Sequence, residues 1–354
     1  MKSDPAKKHI SYIDVIRVVA SVFVVFMHTA AGGLRTDVAG HTGWFVLAGL
    51  SSVAFCAVPL FFMVSGFLLT DSERTGDVKV LLKERLPRLI VPLAFWSVVS
   101  ILWNMVSERA FSPVCFLKML ASAVRGPVNV SLWFMYALAA MYLISPLLCA
   151  GLRRLGRQGE RLILALIVLI KLISVLRILF PAFAGKYLGF DVLNHIDVFG
   201  GHLACFILGW FLGKTEIRFP RPALWAAAVA VCAVIIAGTV IRSSAAGEYV
   251  DSFQTQSAGF EVLLASCVFL LIKQSPAVEA AAVRKPAHAI APLTFPVYLM
   301  HHILLLIAAR FVSAVSLTSV LLETVAVYAA SLLIAWILSR IPVLSYLACG
   351  LRRR

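Results

Sequence analysis

Charge is scarce in this 354-residue sequence, and negative charge is scarcest: Lys and Arg number 32, Asp and Glu 17, and together they make up 14% of the chain. A soluble domain carries about 25% charged residues and is roughly half apolar; here 61% is hydrophobic and the mean hydropathy is +0.94. This excludes an ordinary soluble protein. The seven cysteines fall mostly in apolar runs with no C-x-x-C and no metal-ligand spacing, so neither a disulfide framework nor a structural zinc is expected, and they read as small hydrophobes. Long polar stretches are also missing, and the longest are too short to bury a core of their own. Residues 1–354 therefore read as a single membrane-embedded domain with no separate soluble domain. A cleavable signal is not expected, because the first apolar run carries Asp14 and Arg17 and lacks a small-residue cleavage site. The net charge of +15 would suggest nucleic acid in a soluble chain, but in a membrane chain it reports sidedness, and no nucleic-acid partner is expected.

What is present is a series of apolar runs near residues 11–32, 44–70, 87–107, 131–150, 161–181, 195–213, 221–241, 257–274, 292–311 and 318–340, each bounded by Gly, Pro or charge. A span needs about 20 apolar residues, so the expectation is an all-α polytopic bundle of about ten transmembrane helices in a lipid bilayer. Alternate loops hold the basic clusters Lys79–Arg88, Arg153–Arg161, Lys214–Arg221 and Arg284–Lys285; the others hold only Arg35, Arg109, Lys118, Arg125, Lys186 and Arg242. By the positive-inside rule the rich side is cytoplasmic, and both termini are assigned there.

The first run, SYIDVIRVVASVFVVFMHT, carries Asp14, Arg17 and His28. Arg17 and His28 are eleven residues apart, about three turns, so they share one helix face roughly 16 Å apart along the axis, and Asp14 joins that face. Ionisable groups inside a membrane are expensive unless they face a bundle interior or a wet cavity. A structural reading stands beside this one: Asp14 and Arg17 as an i,i+3 pair at the helix end, and His28 as an interfacial polar residue. His28 favours function, because imidazole suits proton transfer near neutral pH.

Five further stretches carry polar chemistry. In VPLFFMVSGFLLT, Ser65 and Gly66 permit close helix approach after a bend at Pro59. Arg85 and Arg88 sit three apart at the inner mouth of the third span, where guanidinium forks suit phosphate as well as topology. The segment SPVCFLKMLASAV reads as an interfacial helix on the outer side. His195, Asp197 and His202 gather near the outer start of the sixth span; a metal site there is a weak reading, and outer-side acceptor binding asks less. The ninth span, TFPVYLMHHILLL, places His301 and His302 in consecutive positions, about 100° apart, so that one looks into the bundle and the other is read as structural.

Taken in order, D-x-x-R and R-x10-H at Asp14, Arg17 and His28, the VPLFFMVSGFLL stretch, R-x-x-R at Arg85 and Arg88, SLWFMYALAAMYLISPLL and FPVYLMHH resemble the acyltransferase-3 family of bacterial integral membrane acyltransferases. The similarity covers almost the whole chain and is closest to the short members that O-acetylate surface polysaccharides, as for enterobacterial common antigen. It implies transfer of an acetyl group from cytoplasmic acetyl-CoA to a sugar hydroxyl of an envelope glycan, by a multi-pass protein of the bacterial inner membrane. It implies essential roles for Arg17 and His28, with Asp14 beside them, and donor-binding roles for Arg85, Arg88, Tyr298 and His301. No metal is implied. The chain lacks the appended extracytoplasmic domain of longer members, so either the membrane domain completes transfer alone or a separate extracytoplasmic partner takes part; a homo-oligomer also fits.

The chemistry of the residues agrees. Acyl transfer to an alcohol needs a base, stabilisation of an oxyanion and exclusion of water. His28 offers the base, Arg17 a charge in low dielectric, and the arginine-rich rim a place for the nucleotide of CoA. Two other classes fit ten spans with intramembrane charge. A transporter or flippase of a glycan or small anion calls for inverted repeats, which the halves do not display; a non-catalytic sensor has no need of His28 on the Arg17 face.

Overall fold

The computed structural model describes residues 10–109, 112–183, 201–216, 218–256, 258–312 and 315–351, and among these there is helix and no strand. Among the described residues, eight stretches are long and apolar enough to cross a bilayer: Ser11–Arg35, Thr42–Asp71, Val78–Ser107, Val130–Arg154, Arg157–Leu179, Arg221–Ala246, Ala281–Ala308 and Leu317–Arg340. The protein is a polytopic helical bundle. The remaining two expected spans are shorter helices, His202–Lys214 and Gly259–Lys273. At 1.5 Å per residue the first rises only about 20 Å, against about 30 Å of hydrocarbon. His195 and Asp197 lie outside the described residues.

Helix α1 (Ser11–Arg35) is the axis of the fold. Its buried positions Ile13, Ile16, Ala20 and Val24 recur every three or four residues, and its first and last turns carry Asp14 and Arg35, the signs that suit the helix dipole. Around it pack α2 (Thr42–Ala54), α3 (Ala57–Asp71) and, from the far half of the chain, Gly259–Lys273, Ala281–Ile290, Thr294–Ala308 and Leu317–Arg340. Two hydroxyl pairs tie α1 to Leu317–Arg340: Ser21 Oγ to Tyr328 OH at 2.9 Å and Thr29 Oγ1 to Thr324 Oγ1 at 2.6 Å. In lipid such pairs and close packing replace the missing hydrophobic drive between helices.

The break between α2 and α3 at Phe55–Cys56 has a local cause. Pro59 has no N–H to give to the carbonyl of Phe55, so the expected bend becomes an interruption within one span. Helix α4 (Pro87–Ser107) starts at a proline and is preceded by a π turn at Leu81–Arg85, where Leu86 N–H donates to Leu81 O at 2.8 Å. Then come α5 (Pro113–Ser122), a short apolar helix with no buried residue, α6 (Trp133–Arg154) and α7 (Arg157–Leu179).

Helix α8 (His202–Lys214) lies against α3 with no side chain between the backbones. A β-carbon built on Gly66 would fall 1.9 Å from the carbonyl oxygen of Phe206, and one on Gly209 would fall 1.9 Å from that of Met63. The packing role read for Gly66 is thereby explained. The remaining helices are α9 (Arg221–Ala246), α10 (Gly259–Lys273), α11 (Ala281–Ile290), α12 (Thr294–Ala308), α13 (Leu317–Arg340) and α14 (Pro342–Leu347). The chain after α14 folds back on α4: Trp96 Nε1 donates to Ala348 O at 2.9 Å, Ala348 and Cys349 are buried, and Gly350 takes φ +63° with its α-carbon pressed towards the Arg88 carbonyl.

Candidate active site

Two groups of polar residues lie along α1, one at each end of its polar face. At the Arg17 end, α6 contributes Tyr142, whose phenol stands in the electrostatic field of Arg85, Arg17 and Arg88. The positive charges of three guanidiniums, on α1, the π turn and α4, thus act on one phenol. Arg85 and Arg88 share this neighbour but not their contacts. Arg85, released from the regular helix by the π turn, donates to Thr75 Oγ1 and to Ser72 Oγ (2.6 Å), which latches the loop between α3 and α4. Arg88, one turn further, pairs with Glu84 at 3.8 Å and is about one-third exposed. Arg153 closes the same loop by donating to the carbonyls of Thr70 (2.9 Å) and Ser72 (2.8 Å), the open C-terminal end of α3. Asp14, on the inner side of Arg17, faces His288 of α11 at 3.4 Å and also acts on Arg17.

At the other end, His28 meets both histidines of α12. The ring centroids of His28 and His301 are 5.1 Å apart, and those of His28 and His302 are 5.8 Å apart. Both histidines of the consecutive pair thus lie near the His28 ring, His301 the nearer, and the 100° between adjacent helix positions allows both to flank it. His301 is fully buried, and its Nδ1 donates to the carbonyl of Tyr298 at 2.6 Å, one turn earlier. That bond selects the tautomer with a lone pair on Nε2, which is buried and has no hydrogen-bond partner among the described residues. An imidazole nitrogen so oriented accepts a proton or a hydroxyl hydrogen bond.

Tyr298 anchors this histidine. Its hydroxyl donates to the carbonyl of Ser131 at the outer start of α6, and Asn129 Oδ1 receives both Ser131 N–H (3.1 Å) and Ser131 Oγ–H (2.7 Å). Phe134 lies 5.3 Å from the Tyr298 ring, and Phe62 stacks between Phe134 (4.7 Å) and His202 (4.6 Å). An aromatic wall therefore runs from the histidine cluster to the first residue of α8.

The site now has a helix that carries a base at one end and a guanidinium at the other, in a multi-span bundle. Residues 10–340 match the family model described as an acyltransferase domain, of the acyltransferase-3 type. The chain belongs to the acyltransferase-3 family. No curated protein and no solved structure gives a significant match.

Within this acyltransferase the structure brings together His28, Tyr298 and His301 as one group and Arg17, Arg85 and Arg88, with Asp14 beside Arg17, as the other. It does not merge the two, since Arg17 and His28 are separated by three helical turns. Sequence reasoning missed Tyr142, which looks like one more aromatic in an apolar span, and His288, which looks like a loop cation. It also undervalued His302. A signal for Tyr142 was present, because it is a hydroxyl near mid-span rather than at the aromatic belt.

Proposed function

We propose that this acyltransferase moves an acetyl group from cytoplasmic acetyl-CoA to a hydroxyl of a cell-envelope polysaccharide or glycolipid in the bacterial inner membrane. The observation that carries the reading is the layout of α1: Arg17 shares the neighbourhood of Tyr142 with Arg85 and Arg88, towards the end to which the cation excess assigns the cytoplasm, and His28 lies among histidines three turns further along. A donor held by its phosphates on the arginines points its pantetheine arm along α1 towards His28. Both guanidiniums suit phosphate, and Arg85 also shapes the rim by holding Ser72 and Thr75.

At the far end the acceptor hydroxyl gives its proton to His28 as its oxygen attacks the thioester carbonyl. The new C–O bond forms, the carbon–sulfur bond breaks, and the proton passes from His28 to the departing thiolate. His301, held by its bond to Tyr298, presents Nε2 to orient the hydroxyl or to share the proton. The enclosing helices keep water from the thioester. The acceptor enters along the aromatic wall of Phe134, Phe62 and His202, since sugar faces pack well on rings.

The test is transfer of label from acetyl-CoA to isolated envelope glycan by purified protein in lipid nanodiscs. Label on the glycan that disappears with His28→Ala supports the reading. Thioester consumption unaffected by that variant, in protein shown to be folded, refutes it.

A further inference from the structure

Two hollows, neither of them lined by Arg85 or Arg88, meet each other. One is a basic pocket of about 1030 Å³ at the inner ends of α8 and α10 and the start of α9, lined by Lys214, Arg218, Arg221 and Lys273 with Glu216 as its one carboxylate. The other is a furrow of about 640 Å³ running up between α9 and α10, walled almost wholly by apolar atoms, among them those of Trp225, Ala228, Cys232 and Leu264. Arg221 and Ser275 line both, so the basic pocket opens directly into the apolar furrow.

The cations of the pocket are not equally available. Lys273 donates to the carbonyls of Leu212, Gly213 and Thr215, closing the C-terminal end of α8, and Lys214 pairs with Glu160 at 2.7 Å. Arg218 and Arg221 have no ion-pair or hydrogen-bond partner among the described residues, and both are exposed. Arg221 also opens α9, whose N-cap Pro220 supplies no side-chain bond to the first turn, so the positive end of a 26-residue helix faces the same place. Two open guanidiniums, a helix N-terminus and an adjoining apolar channel at the membrane's inner boundary match one chemistry: a phosphate joined to hydrocarbon chains.

We propose that this composite site holds an anionic phospholipid of the bilayer, its phosphate on Arg218, Arg221 and the start of α9 and one acyl chain in the furrow beside Trp225. The furrow volume lies within the range of specific small-molecule sites. The site is separate from the arginine rim at Arg85 and Arg88, so it neither needs nor duplicates the donor site.

Trp225 gives a direct readout, since it lines the furrow and is 56% exposed. Purified protein would be titrated with phosphatidylglycerol or phosphatidylcholine carrying brominated chains, and the quenching due to Trp225 isolated by comparison with Trp225→Phe. Phosphatidylglycerol is expected to half-saturate that quenching at a concentration on the order of thirtyfold lower, since each of the two arginines near an anionic group contributes about fivefold. Arg218→Gln with Arg221→Gln should erase the preference, and Ala233→Phe, on the exposed wall of the furrow, should reduce quenching by both lipids. Equal affinity for the two lipids in the unaltered protein, or an undiminished preference in the arginine double variant, overturns the proposal. So does displacement of the brominated lipid by acetyl-CoA, which would make the pocket a donor site.

Discussion

His301 and Tyr298 are bound to each other across one turn of α12, the imidazole Nδ1 donating to the tyrosine carbonyl at 2.6 Å, and the tyrosine hydroxyl in turn donates to Ser131 at the start of α6. A chain of two hydrogen bonds thus sets the orientation of the ring that faces His28.

From this arrangement Tyr298→Phe should keep the fold and lose part of the rate. The lost hydroxyl leaves one buried carbonyl without its donor, at a cost of about 1–3 kcal/mol, and frees the α12 turn that positions His301. A fall in kcat with an unchanged KM for acetyl-CoA is the expected signature. A change confined to KM would place Tyr298 with the donor instead.

His28→Ala should reduce acetyl transfer by ~10²–10⁴-fold, the range for loss of a general base. His301→Ala should also slow transfer, but double replacement should cost less than the sum of the two in logarithmic terms, because the rings act on one proton. Additive effects would mean that the two histidines serve separate steps. The measurement is single-turnover transfer by protein of verified thermal stability.

Arg88→Gln should raise the acetyl-CoA concentration needed for half-maximal rate several-fold, since a neutral amide cannot grip phosphate as the guanidinium fork does. Arg85→Gln should lower the melting temperature as well, because Arg85 holds both Ser72 and Thr75. Identical profiles for the two variants would contradict the division of labour. Lys at either position retains charge but not the planar fork and is a test of geometry rather than a neutral control.

Gly66→Ala should be among the most damaging small substitutions in the chain. The added carbon would stand 1.9 Å from a backbone carbonyl, which cannot rotate aside, so α3 and α8 must separate at a cost of at least ~3 kcal/mol. Gly76→Ala, where a β-carbon meets nothing within 4 Å, is the matched control. Detergent-solubilised melting curves of the two variants should differ sharply.

The importance of α1 could be read before any coordinates, because Asp14, Arg17 and His28 are polar residues set in an apolar run, and lipid makes such placements costly. The bundle was legible for the same reason. The span count was less so: hydropathy marks apolar composition, and α8 is as apolar as a span yet stops at thirteen residues. The role of His302 was obscured because a helical wheel shows angles about one axis and not the position of the neighbouring helix. The separate partners of Arg85 and Arg88 were hidden as well, since a π turn leaves no clear mark in Leu81–Arg85 and shifts the register that the R-x-x-R spacing assumes.

The fold-back after α14 has a consequence for how the enzyme is made. Ala348 and Gly350, which seat against Trp96 and the Arg88 backbone, leave the ribosome only after the last long helix has been synthesised. The packing beside Arg88 therefore stays incomplete until residues 348–350 seat on α4.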